Sequence, residues 1–178
     1  MDSRVIAKLK EFMSDTSHRG RIVVVMMTNR PDKIDIDLKR PGRLDSKIPF
    51  FLPEDVDTCL AILKAQVRKH AVHVDESVVW DEIKQGLKGY SAAEIEAVLL
   101  AAIRSAVQET DSASPLLQTV HFERAIQDVV PTRDFRMIEY MEMMAVFESS
   151  SRSMLPDRFQ SLTPNEIQEM LDSMRRRL

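Results

Sequence analysis

The apolar run "IVVVMM", residues 22–27, is followed at once by "TNRPDKIDIDLKRPGRLD", residues 28–45. The run does not alternate with polar residues. Residues 21–28 therefore read as a strand buried on both faces, the habit of parallel sheets. The next eighteen residues hold two Pro, one Gly, four Asp and five Lys or Arg, so a buried element gives way abruptly to a stiff, charged loop. A second candidate strand, "KIPFFL" at 47–52, carries Pro49, which confines it to a sheet edge or a strand end. Two strands do not make a stable sheet by themselves. The first third of the chain thus reads as a partial parallel sheet.

From Pro53 onward the period changes to that of helices. In "PEDVDTCLAILKAQVRK", Val56, Leu60, Leu63 and Val67 share a stripe, with acids in the first turn and bases in the last, as the helix dipole favours. A shorter helix is predicted over 75–89. Ser91 and Glu94 form a capping-box pattern ahead of Ile95, Val98, Leu99, Ala102, Ile103, Ala106 and Val107. After a loop at 111–115, Thr119 is placed to cap a helix that Pro131 ends. Helices are also predicted at 2–13, at 133–148 with its methionines, and after Thr163, where Pro164 and Glu166 complete a second capping box.

The whole is a mostly α chain of 178 residues, 44% hydrophobic, with room for one domain or two small ones. Its net charge of −3 gives no overall basic footprint for nucleic acid. The single Cys59 rules out an intrachain disulfide and a multi-cysteine zinc site. His70 and His73 are near neighbours without an evident third ligand, so no metal is expected. No apolar run approaches the roughly 20 residues that cross a bilayer, and the first residues lack a signal-peptide core. A cytoplasmic protein without membrane partners is the expectation.

The charged loop carries the chemistry. Asn29 ends the first strand, on the sheet edge where open α/β folds bind ligands, and its amide suits a water or a phosphate oxygen. Pro31 and Pro41 fix φ, and Gly42 permits a turn that other residues resist. Arg40 and Arg43, three apart around the Pro-Gly corner, present two planar forks that match phosphate oxygens. The residues alone leave a second reading open, in which both arginines pair locally with Asp35, Asp37 or Asp45.

The order of these residues adds to that reading. "VVVMMTNRPDKIDIDLKRPGRLDSKIPFFLPE" resembles the second region of homology of AAA ATPases. Downstream, "AILKAQVRKHAVHVD", "GYSAAEIEAVLLAAIRSAV" and "HFERAIQDVVPTR" resemble that family's helical lid, in order, so the resemblance covers roughly residues 2–133. It implies that Asn29 is the sensor-1 residue and that Arg40 and Arg43 are arginine fingers acting in trans. Gln66 stands where many relatives place a His beside the adenine and ribose. Ala92 and Ala93 would lie against the nucleotide at a helix N-terminus, Ala92 in place of the usual Gly. The implied cofactor is ATP, with Mg in the complete module. The implied partners are the subunits of a homo- or hetero-oligomeric AAA ring, and a protein that docks on the C-terminal extension.

The family's phosphate-binding pattern, G-x-x-x-x-G-K-[ST], occurs nowhere in these 178 residues; the glycines stand at 20, 42, 86 and 89. No apolar strand ending in Asp-Glu precedes the first helix. The expectation is therefore the C-terminal part of an AAA module. It comprises a partial α/β segment at 1–52, a helical lid at 53–131 and a helical extension at 132–178. Such a chain is not competent for ATP hydrolysis alone. The alternative is a free-standing regulatory module acting in trans on an AAA partner. Either way, an uncovered strand at 22–27 favours self-association or a loosely held 1–52 segment.

Overall fold

A computed structural model describes residues 3–18, 20–110, 114–131 and 134–177. Asp2, part of the expected loop at 111–115, and residues 132–133 lie outside the described residues. In chain order the elements are α1 (Ser3–Ser14), α2 (Val56–Lys69), β1 (His73–Val74), α3 (Trp80–Gly86), α4 (Ala92–Thr110), β2 (Leu116–Leu117), α5 (Thr119–Asp128), α6 (Phe135–Glu148), α7 (Asp157–Gln160) and α8 (Pro164–Arg175). The chain is mostly α, as its periodicity predicts. It divides into two compact units, one of residues 1–51 with 134–178 and one of residues 52–133.

The unit at 52–133 is built on α4. Ile95, Val98, Leu99, Ala102 and Ala106 recur at helical spacing and are completely buried. Against them pack Cys59 and Leu63 of α2, Ile83 of α3, and Phe122 and Ala125 of α5. Trp80 meets Phe122 with ring centroids 5.7 Å apart. The Tyr90 hydroxyl donates to the Val129 carbonyl at 2.8 Å and ties the start of α4 to the end of α5. The parallel pairing lies in this unit, with His73 opposite Leu116 and Val74 opposite Leu117.

Two helix starts differ from expectation. The helix at 75–89 shortens to Trp80–Gly86 because Asp75 folds the preceding residues into a turn, its carboxylate accepting from the Ser77 N–H at 2.8 Å. α5 is capped by Gln118 rather than Thr119. The Gln118 N–H donates to His121 Nδ1 at 2.9 Å, while Thr119 Oγ1 accepts from the Val79 N–H. The two capping boxes stand as read: Ser91 with Glu94, and Thr163 with Glu166.

In the other unit, α6 and α8 bury Tyr140, Met143, Met144, Val146 and Leu171 around Leu155, with Met137, Ile167 and Met174 at the margin. Met137, Met143 and Met144 of α6 are thus packing residues, a use their flexibility suits. Phe51 joins this cluster and lies 5.8 Å from Phe159, centroid to centroid.

The expected strands at 21–28 and 47–52 do not form ladders. Residues 22–28 belong to no helix or strand, and among the described residues Val23 through Thr28 make no backbone hydrogen bond to another backbone group. Val23 is 89% exposed, Val25 77%, Met27 90% and Phe50 88%. A ladder needs a neighbouring strand to take up its N–H and C=O groups, and the described residues of this unit supply none.

Candidate functional site

The Pro-Gly corner is assembled from both sides of the 28–45 loop. Two short 3-10 turns, Pro31–Lys33 and Ile36–Lys39, lead into it, the second capped by the Asp35 carboxylate accepting from the Asp37 N–H. Gly42 has φ +87°, in the left-handed region where a side chain is strained, and its N–H donates to Asp45 Oδ1 at 2.5 Å.

α1 grips the loop from one side. Lys10 Nζ bridges Asp35 at 2.9 Å and Asp37 at 3.0 Å. Its hydrogen bonds hold both carboxyls below the usual carboxylate range and raise its own pKa. Arg30 makes a forked pair with Asp32, at 2.9 and 2.8 Å, that fixes the start of the loop.

The two arginines of the corner share Asp37 but differ in freedom. Arg43 is held within its own chain: it donates to Ser14 Oγ at 2.8 Å and to the Asp37 carbonyl at 2.6 Å. Arg40 pairs with the Asp37 carboxylate at 3.2 Å and leaves 70% of its side chain in solvent. Asn29 is exposed at the bend before Arg30 and shares no partner with either arginine among the described residues. Phe12, His18, Ile22, Val24, Gly42 and Arg43 help line an open depression of about 460 Å³ beside the corner.

In the unit at 52–133, Gln66 lies on α2 one turn before His70. Its Oε1 is buried and is the unpartnered side-chain polar atom of the described residues. A buried acceptor without a donor costs about 1–3 kcal/mol. Ala92 and Ala93 form the exposed first turn of the 19-residue α4, whose N-terminal amides favour anions. One turn further along, Glu96 accepts from Lys69 at 2.9 Å and meets His70 at 2.8 Å, so the end of α2 packs beside the start of α4. Lys69 chiefly, then His70, lowers the Glu96 pKa. Gln66 and the first turn of α4 lie on the two helices that Glu96 joins. A triphosphate needs a cradle of closely spaced amides with a Lys, which these residues do not provide. Among the described residues no cluster of His, Cys, Asp or Glu is set to hold a metal ion.

Sequence reasoning did not single out Lys10, Ser14 or Glu148 as supports of the corner. Lys10 and Ser14 lie on an ordinary amphipathic helix, and Glu148 lies 109 residues from its partner Lys39. No local pattern marks such pairs.

Residues 1–52 match the family described as "ATPase family associated with various cellular activities (AAA)". The chain belongs to the AAA ATPase family. Among its relatives are the "ATPase family gene 2 protein" of Saccharomyces cerevisiae, 37% identical over 84% of this chain, and the "ATPase family protein 2 homolog" of Caenorhabditis elegans, 35% identical over 78%. The "Cell division cycle protein 48 homolog" of Archaeoglobus fulgidus is 30% identical over 85% of the chain. The matches cover 19%, 19% and 20% of those relatives, so the chain spans about a fifth of their length. No helix among the described residues is long and apolar enough to cross a membrane.

Proposed function

We propose that this chain supplies the sensor, the arginine fingers and the lid of an AAA nucleotide site in an ATP-driven remodelling ring. Residues outside these 178 contribute the phosphate cradle, and the chain does not hydrolyse ATP alone. The observation that carries this reading is the corner itself: Arg40 stands 70% exposed on a turn whose base is pinned by Lys10 and Arg43. A guanidinium so held loses little freedom on meeting a phosphate.

In this reading Arg40 reaches the nucleotide of the adjoining subunit from its present position. Arg43 does so after exchanging Ser14 and Asp37 for phosphate oxygens. Asn29 orients the attacking water or a γ-phosphate oxygen. Gln66 takes the base or ribose through its unpaired Oε1, and the amides of Ala92 and Ala93 face the phosphates. ATP with Mg supplies the reactive phosphoryl group when bound; the chain's own residues orient it and neutralise its charge.

A chimera tests this, with this chain replacing the matching segment of the yeast ATPase family gene 2 protein. Arg40→Ala in one finger position is expected to lower kcat by about 10³–10⁵, the worth of an arginine finger, with little change in KM. Unchanged turnover in Arg40→Ala and Arg43→Ala chimeras would refute the finger assignment.

A further inference from the structure

We infer that Glu148, the last residue of α6, is a positioning residue that holds the Arg40–Arg43 corner in place. The corner is flanked by Lys39 and Lys47, and both ammonium groups converge on this one carboxylate. Lys39 pairs with Oε1, and Lys47 with Oε2 at 3.2 Å. The Glu148 side chain is only 13% exposed. Lys39 also donates to the Pro31 carbonyl at 3.2 Å, which ties the start of the loop to the same point. Backbone follows side chain: the Lys47 N–H donates to Ser150 Oγ at 3.1 Å, and the Ser150 N–H donates to the Lys47 carbonyl at 3.2 Å.

The placement is costly for α6 taken by itself. A carboxylate at a helix C-terminus opposes the helix dipole, where a base is preferred. It is also largely withdrawn from water, which penalises a charge unless it is paired. Among the described residues, both penalties are met by lysines 109 and 101 residues upstream. Glu148 therefore serves the loop rather than its own helix. With α1 holding Asp35, Asp37 and Arg43, the Glu148 clasp fixes the other end of the corner, and Arg40 is left as its projecting group.

The role in catalysis rests on the finger reading above; the clasp itself does not. The test uses the full chain carrying Glu148→Gln, which preserves size and removes the charge. Hydrogen exchange of peptides spanning 38–47 is expected to quicken about tenfold, with exchange in 92–106 unchanged. Lys39→Met is expected to act alike, and the double variant to be no worse than either single one. In the chimera, Glu148→Gln is expected to lower kcat about tenfold at constant KM, and Glu148→Asp to recover part of it. Unchanged exchange at 38–47 overturns the clasp whatever the kinetics. If Arg40→Ala leaves turnover intact, the finger reading fails, and the exchange result alone decides for or against Glu148.

Discussion

Replacing Val23 and Val25 together by Lys should abolish self-association without destabilising either unit. The two valines and Met27 occupy alternate positions of a segment outside any helix or strand and are 89%, 77% and 90% exposed. Three such side chains on each of two copies, at about 1.5–3 kcal/mol apiece when covered, sum to about 9–18 kcal/mol. Association itself costs about 4–15 kcal/mol. The surplus of a few kcal/mol corresponds to dissociation constants from millimolar to micromolar. Lysine at 23 and 25 removes two of the three side chains in each copy, about 6–12 kcal/mol of the gross gain. It also sets like charges opposite each other wherever two copies pair as strands. Because both positions are already in solvent, the folded chain should change by no more than about 0.5 kcal/mol. Sedimentation velocity from micromolar to near-millimolar protein is expected to give a rising mass for the parent and a constant one for the variant. Melting curves at low concentration should be the same. A parent that stays monomeric over that range, or a variant that associates equally well, would refute the reasoning.

Gly86→Ala places a Cβ 2.9 Å from Ile126 Cγ2 and 3.1 Å from its Cδ1. The overpacking is expected to cost about 1–3 kcal/mol in denaturant unfolding of the 52–133 unit, with Ile126→Val restoring part of it. Cys59 is buried, and burial pushes its thiol pKa up. Alkylation should therefore follow opening of the unit and quicken with denaturant; rapid labelling in native buffer would contradict this. Asp35 and Asp37 have depressed folded pKa values, so the Lys10 tether is intact above the unfolded value of about 3.9 and is lost as pH falls through the folded ones. NMR titration should find both carboxyl midpoints below the usual range, and Lys10→Met should return them toward it.

What the sequence made legible was set by range. The Ser91–Glu94 and Thr163–Glu166 boxes each span four residues, and both mark helix starts that the structure shows. The stripe from Ile95 to Ala106 is likewise local, and it proved to be the centre of a core. The run at 22–27 reads as a strand buried on both faces, yet it forms no strand and Val23, Val25 and Met27 are exposed, because a strand's neighbours are not written in the strand itself. The two-residue pairing of His73–Val74 with Leu116–Leu117 was too short to announce itself. At the corner, Arg40, Arg43 and the competing pairing with Asp37 were all visible from residue types and spacing. That Arg43 would turn to Ser14 while Arg40 stayed outward depends on where α1 lies, and that was not readable.

The path of the chain through its two units has a consequence for anyone who trims it. Residues 52–133 are an insertion, and the body that holds the corner closes only when the chain returns at 134. A stop codon before residue 148 would therefore strike the opposite end of the polypeptide. Phe51 would lose its aromatic neighbour, and Lys39 and Lys47 their shared acid. Excising the insertion would instead remove a body whose buried residues are all its own.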